Sequence, residues 1–146
     1  MSTIMRKINI LSRSEASYRT EKLNIPDLKG CHHSYVLAIC NNAGLSQDEL
    51  ARHIAVNKSN VARNLVYLEE LGYVKREVSQ KDRRITNVFP TEKMLEIYPK
   101  VKEITLKWNN YLARDLSPAE FKQFEAILEK LAQKAVSYTE GCDEDK

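Results

Sequence analysis

Cysteine is scarce in this chain and comes unpaired. Cys31, Cys40 and Cys142 are an odd number, and no two stand in a CxxC spacing. That argues against a disulfide framework and fits reduced thiols. Long apolar runs are missing as well. No stretch approaches the ~20 apolar residues that a membrane-spanning helix needs. The opening stretch MSTIMRKINILSRSEASYRT lacks the uninterrupted apolar core of a signal peptide. A cytoplasmic protein with no membrane partner is therefore expected. Enzyme signatures are absent too: there is no phosphate loop, no nucleophile elbow and no paired carboxylates in a recognisable setting. No catalytic residue and no cofactor is assigned, and no enzyme is expected. No internal repeat or low-complexity linker divides the chain. Its 146 residues suffice for one domain with a real core, without disulfide or metal staples.

What charge there is lies unevenly. The net charge is +3. Between Asn57 and Phe89 seven Lys and Arg residues stand against four acids, so that segment holds the whole surplus and the rest is neutral. A local positive field is the footprint expected for a polyanionic partner. A surplus of three also suits an ordinary solvated surface, so charge alone does not decide.

The apolar periodicity predicts mostly helix. Ile4, Ile8, Leu11 and Tyr18 mark an amphipathic first helix, interrupted by Glu15 and ending before Asn24-Ile25-Pro26. A second helix is predicted over Cys31–Asn42, with Tyr35, Val36, Ile39 and Cys40 inward and Asn42-Ala43-Gly44 as its stop. Ser46-Gln47-Asp48-Glu49 reads as a capping box opening a short helix that buries Leu50, Ala51 and Ile54. Ala55-Val56-Asn57 makes a tight turn, and Asn57 caps the next helix. That helix buries Val61, Leu65, Leu68 and Leu71 and ends at Gly72. Tyr73–Val78 and Ile85–Phe89 are candidate strands joined by the turn Ser79–Arg84. Pro90-Thr91 opens a long helix with the stripe Leu95, Tyr98, Val101, Ile104, Trp108, Tyr111 and Leu112, in which Pro99 is expected to introduce a kink. Ser117-Pro118-Ala119-Glu120 starts a last helix bearing Phe121, Phe124, Ile127, Leu128, Leu131 and Ala135.

A short helix, a tight turn, a second helix and a basic hairpin form a winged helix-turn-helix pattern. The second helix of such a unit can enter the major groove, with its N-terminal side chains at base edges. If Val61, Leu65 and Leu68 face inward, Lys58, Ser59, Asn60, Arg63 and Asn64 face outward or lie at the margin. Arg can bind guanine with two hydrogen bonds, and Asn can do the same with adenine. Lys58 and Ser59 suit phosphate. The hairpin tip carries Arg83 and Arg84, placed for a narrow minor groove with its enhanced negative potential. Asp82 would be costly beside phosphate, so it is expected to orient an arginine or fix the turn.

The stretch LSQDELARHIAVNKSNVARNLVYLEELGYVKR, followed by DRR and by PTEK, resembles the MarR family of transcription regulators. Asp82 and Arg84 match the family's Asp-x-Arg wing signature. The resemblance is specific over Leu45–Lys93 and extends by helix order to nearly the whole chain. It implies a mainly α fold with a small β-hairpin wing, a winged helix-turn-helix core flanked by dimerisation helices. Residues 1–146 would be one protomer: 30–90 the DNA-binding lobe, 1–25 and 91–138 the dimerisation helices, 139–146 a frayed acidic tail. It further implies a homodimer on a palindromic double-stranded DNA operator, usually as a repressor, often relieved by a small phenolic effector or an oxidant. One departure is Met94, where the family frequently has Gly; only a local turn is expected to change. The competing reading is a protein-binding adapter that reuses the fold without specific DNA binding.

Three further features invite sharper readings. Cys31-His32-His33 looks like a metal cluster, but zinc needs four convergent ligands and no second paired motif supplies them, so no metal site is assigned. A redox-sensing Cys31 or Cys40 would need a lowered pKa and a nearby base. Oxidant-sensing relatives place their cysteine in the first helix, and here that helix has none. Tyr18, Tyr35, Tyr67, Trp108 and Tyr111 suit core or dimer interface better than a ligand box. Arg13, His33 and Tyr35 are the candidate anchors for an effector.

Overall fold

The computed structural model describes residues 3–139 and Gly141, and it divides into two compact units, residues 1–108 and 109–146. In the first unit, α1 spans Ile4–Leu23, and the Thr3 side chain caps it by accepting from Arg6 N. It stops at Asn24, which takes the left-handed conformation (φ 45°, ψ 40°) two residues ahead of Pro26. A 3-10 turn, Gly30–His32, leads into α2, His33–Asn41. The predicted second helix therefore begins as a tighter turn, because Lys29 N donates to the His32 ring at 3.1 Å and fixes that entry.

α3 (Gln47–Ile54) and α4 (Lys58–Glu70) follow, then β1 (Val74–Val78) and β2 (Thr86–Pro90). The strands are antiparallel, with Val74 opposite Pro90 and Val78 opposite Thr86. Residues 44–46 add a short third edge: Val88 N donates to Leu45 O and Gly44 N to Val88 O, both at 2.8 Å. Gly44 holds φ +95° with the Phe89 ring 3.3 Å from where a Cβ would stand, so a side chain there would be both strained and crowded. Gly72 (φ +81°) turns the chain from α4 into β1.

The core joins α2, α3, α4, the sheet and the first part of α5 (Glu92–Ala113). Val36, Leu50, Val61, Leu65, Leu68 and Met94 are fully buried. Two expectations need correction. Met94 does not alter a turn; it lies within the first turns of α5, and its side chain fills the core. Burial of a side chain of that size contributes roughly 1.5–3 kcal/mol. The predicted stripe of α5 holds at Val101 and Ile104 but not at Leu95, whose inward place Met94 takes. Met94, Val101 and Ile104 are buried, whereas Leu95 is 48% exposed. The helix continues through Pro99.

In the second unit, Ser117 and Glu120 form the expected capping box, with Glu120 N donating to Ser117 Oγ at 3.1 Å and Ser117 N to Glu120 Oε2 at 3.0 Å. It opens α6, Pro118–Thr139, which buries none of its residues within this chain. The acidic tail expected over 139–146 lies, apart from Thr139 and Gly141, outside the described residues, as does Cys142. Among the described residues no helix is long and apolar enough to cross a membrane.

Candidate nucleic-acid interface

The local sequence builds a rigid platform. Glu49 N donates to Ser46 Oγ at 3.1 Å, and Ser46 N to Glu49 Oε2 at 2.9 Å, so both ends of the capping box close on α3. Ala55 takes a left-handed conformation (φ 61°, ψ 47°), a strain of about 1–2 kcal/mol for a residue with a Cβ. It is held there by bonds from Ala55 N to Arg52 O and Val56 N to Ala51 O. Asn57 caps α4 by accepting from Asn60 N at 2.7 Å. α3 and α4 then pack around Leu50, Ala51, Val61 and Leu65.

The five α4 residues singled out from the sequence divide by environment. Lys58 and Ser59 are exposed at the helix start. Lys58 Nζ lies 3.2 Å from Asp48 Oδ2, a surface pair that a phosphate can displace. Ser59 donates its hydroxyl to Asn57 Oδ1 at 2.8 Å. Arg63 is exposed and makes no hydrogen bond or ion pair among the described residues. Asn60 and Asn64 are half-buried and tied to each other. Asn64 Nδ2 donates to Asn60 O at 2.9 Å and to Asn60 Oδ1 at 3.0 Å. Tyr35 donates its hydroxyl to the same Asn60 Oδ1 at 2.6 Å, and His32 Nε2 lies 3.1 Å from Asn64 Oδ1. Neither asparagine therefore presents an open acceptor and an open donor together.

The wing is organised by its acid. Asp82 accepts from Arg84 at three points: backbone N and Nε on Oδ1, and Nη2 on Oδ2, each 3.0 Å. The Arg84 side chain nevertheless remains 90% exposed. The hydrogen bonds from Arg84 hold the Asp82 carboxyl below its ordinary range. Asp82 O also accepts from Ile85 N at 3.0 Å, so one residue both fixes the turn and orients the arginine. Arg83 is exposed beside it.

Two latches set the wing and α4 against each other, and sequence reasoning missed both. Arg76 on β1 forms a two-point pair with Glu69 (2.9 and 3.2 Å) and also reaches Gln47 Oε1 at 3.4 Å. It thereby joins β1, the end of α4 and the start of α3. The PTEK segment closes the other side. Thr91 Oγ1 donates to Gly72 O at 2.6 Å, and Lys93 Nζ donates to Leu71 O at 2.6 Å while lying 4.4 Å from the centre of the Tyr73 ring. A cation there meets the negative end of α4. The pairing of PTEK with the end of α4 could have been suspected from the motif; the Arg76 clamp left no local pattern.

The proposed effector anchors are not gathered. Arg13 lines an open groove of about 470 Å³ with α1 neighbours such as Arg6 and Asn9. Tyr35 belongs to the Asn60 network. His33 sits between α1 and α5: Arg19 Nη1 donates to its Nδ1 at 2.5 Å, and its Nε2 lies 3.0 Å from Thr105 Oγ1. Burial, and then the Arg19 charge, push His33 down to about 4. It is neutral near pH 7, with Nδ1 as acceptor and Nε2–H as donor. Arg19 Nε is buried without a hydrogen bond, 3.5 Å from Glu15 Oε1. His32 and His33 thus face different partners. Among the described residues no three His, Cys, Asp or Glu side chains gather as metal ligands. Cys31 is exposed, while burial pushes the half-buried Cys40 thiol up to about 11.

A capped short helix, a tight turn, a second helix with an exposed first turn and a charged two-stranded wing define a winged helix-turn-helix protein. The profile described as MarR family matches residues 25–85. The uncharacterized HTH-type transcriptional regulator YybA of Bacillus subtilis (strain 168) is 30% identical over 99 residues, 68% of this chain and 66% of YybA. The aligned region thus spans slightly under two thirds of that relative. The solved structure of a MarR protein from Peptoclostridium difficile superposes with a TM-score of 0.91 at 25% identity, covering 97% of this chain and 93% of that one. A Listeria monocytogenes putative MarR family transcriptional regulator, complexed with 26mer DNA, shares the fold with a TM-score of 0.90 at 21% identity, covering 100% and 99%. Residues 25–85 thus match the MarR family of transcription regulators, and the chain shares the fold of a solved MarR protein over nearly its whole length.

Proposed function

We propose that this chain is a sequence-specific regulator that binds a palindromic operator as a homodimer, usually repressing, with occupancy lowered by a small phenolic effector. The carrying observation is the pairing of an exposed, capped α4 start, bearing Lys58, Ser59 and Arg63, with a wing whose Arg84 is held out in solvent by Asp82. These side chains lie at the surface and serve no buried core. The combination suits a duplex read by α4 in the major groove and by the wing alongside. Residues 30–90 form the DNA-binding lobe in this reading, and helices of 1–25 and 91–138 form the dimer. Exposed apolar residues on α1 (Ile4, Met5, Ile10, Leu11) and on α6 (Ile127, Leu128, Leu131) support the second copy. The DNA-bound Listeria relative supports the duplex. The effector would bind at His33, where the neighbouring Arg19 offers a cation to an acidic phenol. It acts by favouring a dimer whose recognition helices are wrongly spaced.

Selection of genomic fragments by the purified chain at two salt concentrations tests this. One enriched palindrome that survives the higher salt is the expected result. Even loss of all fragments would contradict it and favour a protein-binding adapter built on the same fold.

A further inference from the structure

The polarity of the network beneath α4 is set by a group that cannot be reversed. Lys29 N is a backbone donor, and it points at His32 Nδ1 at 3.1 Å. His32 Nδ1 must then be an acceptor, so the ring proton of neutral His32 sits on Nε2. Nε2–H in turn donates to Asn64, 3.1 Å away, which places Asn64 Oδ1 toward the ring and Nδ2 toward Asn60. Asn64 Nδ2 spends its two hydrogens on Asn60 O and Asn60 Oδ1. The Tyr35 hydroxyl takes the remaining lone pair of Asn60 Oδ1 at 2.6 Å. Four side chains are thus locked in one sense from a single peptide N–H. His32 is 3% exposed and stacks on Tyr67 with ring centres 5.1 Å apart, so the anchor cannot swing.

This has a consequence for base reading. Two-point recognition of adenine by an asparagine needs an acceptor for N6 and a donor for N7 together. Asn60 Oδ1 is saturated, which leaves only its Nδ2 donors. Asn64 has no donor left. The geometry points to Tyr35 and His32 as positioning residues that make Asn60 a donor-only reader, selecting an acceptor edge, guanine or thymine, against adenine. This rests on the reading that α4 meets the major groove. It assigns specificity to two residues that touch no base.

The test measures base preference column by column on selected operator variants. Asn60→Ala should flatten one column, which identifies the base pair read. In that column the unaltered chain should favour guanine or thymine. Tyr35→Phe removes one hydroxyl and keeps the packed ring; it frees the Asn60 acceptor and should raise adenine relative to guanine about tenfold there, leaving other columns unchanged. A merely structural Tyr35 would instead lower affinity evenly in all columns, and that result overturns the inference. So does adenine preferred by the unaltered chain in the Asn60 column, or no column flattened by Asn60→Ala. A second readout needs no DNA: imidazole nitrogen NMR should find His32 protonated on Nε2 and bare on Nδ1. The opposite tautomer would reverse both amides and also overturn it. Failure of the unaltered chain to select any sequence is a separate outcome, one that removes the DNA reading itself.

Discussion

Arg84 gives Nε and Nη2 to Asp82 and keeps its side chain almost wholly in solvent. The pair is held at a fixed angle rather than buried, as the proposed contact with a duplex needs. Arg84→Ala should weaken operator binding and reduce the slope of log affinity against log salt by about one, with the dimer intact in sedimentation. Unchanged affinity and slope would remove Arg84 from the interface. His33 gives a second expectation at this scale. Its folded pKa is about 4, below the unfolded value of 6.5. Between those values the unfolded chain binds more protons than the folded one, so stability is present above pH 6.5 and is lost as pH falls toward 4. The loss is about 3 kcal/mol for this group. His32 is lowered too, chiefly by burial, and acts in the same direction. Urea midpoints measured from pH 7 to pH 4.5 should fall, and His33→Gln should flatten much of that fall. A midpoint equally steep in the variant would rule His33 out.

At the scale of elements, α5 shows what sequence could and could not supply. Its start was legible, because Pro90-Thr91 breaks the strand and Thr91 Oγ1 then accepts from Met94 N at 3.4 Å. Its inward face was legible at Val101 and Ile104 but not in its first turn. Leu95 and Met94 are adjacent and similarly apolar, and only packing in the shared core decides which turns in. Met94→Ala should lower stability by about 2–5 kcal/mol in denaturant unfolding, the cost of a core cavity. Leu95→Ala should cost far less. Equal costs would contradict the inward place given to Met94 over Leu95. The capping boxes of α3 and α6, the Asn57 cap and the left-handed Gly72 were all readable, since each is a local backbone requirement met within a few residues. The Arg76 clamp and the His32–Asn64–Asn60–Tyr35 network were not, because their members are brought together only by the fold. For the same reason the sequence places Asn60 and Asn64 only at the outer face or its margin and does not show that their amides are tied to each other. Likewise, Cys31-His32-His33 suggested a cluster that the backbone separates into two networks.

At the scale of the whole molecule, the unfinished surface is α6. Ile127, Leu128 and Leu131 are each about half exposed, on a helix that buries nothing within its own chain. An apolar stripe needs a partner. Leu131→Glu with Ile127→Glu should convert a dimer to a monomer in sedimentation and abolish operator binding together. A variant still dimeric would place the interface elsewhere. The most direct test of the account is spacing. Two α4 helices of a symmetric dimer should sit roughly 34–36 Å apart, one turn of DNA. Binding should be measured to the selected palindrome and to the same duplex with half a helical turn, about five base pairs, inserted at its centre. The account predicts two chains on the first duplex and affinity on the second reduced to that of a single half-site. Equal affinity for both, or one chain per duplex, would contradict it.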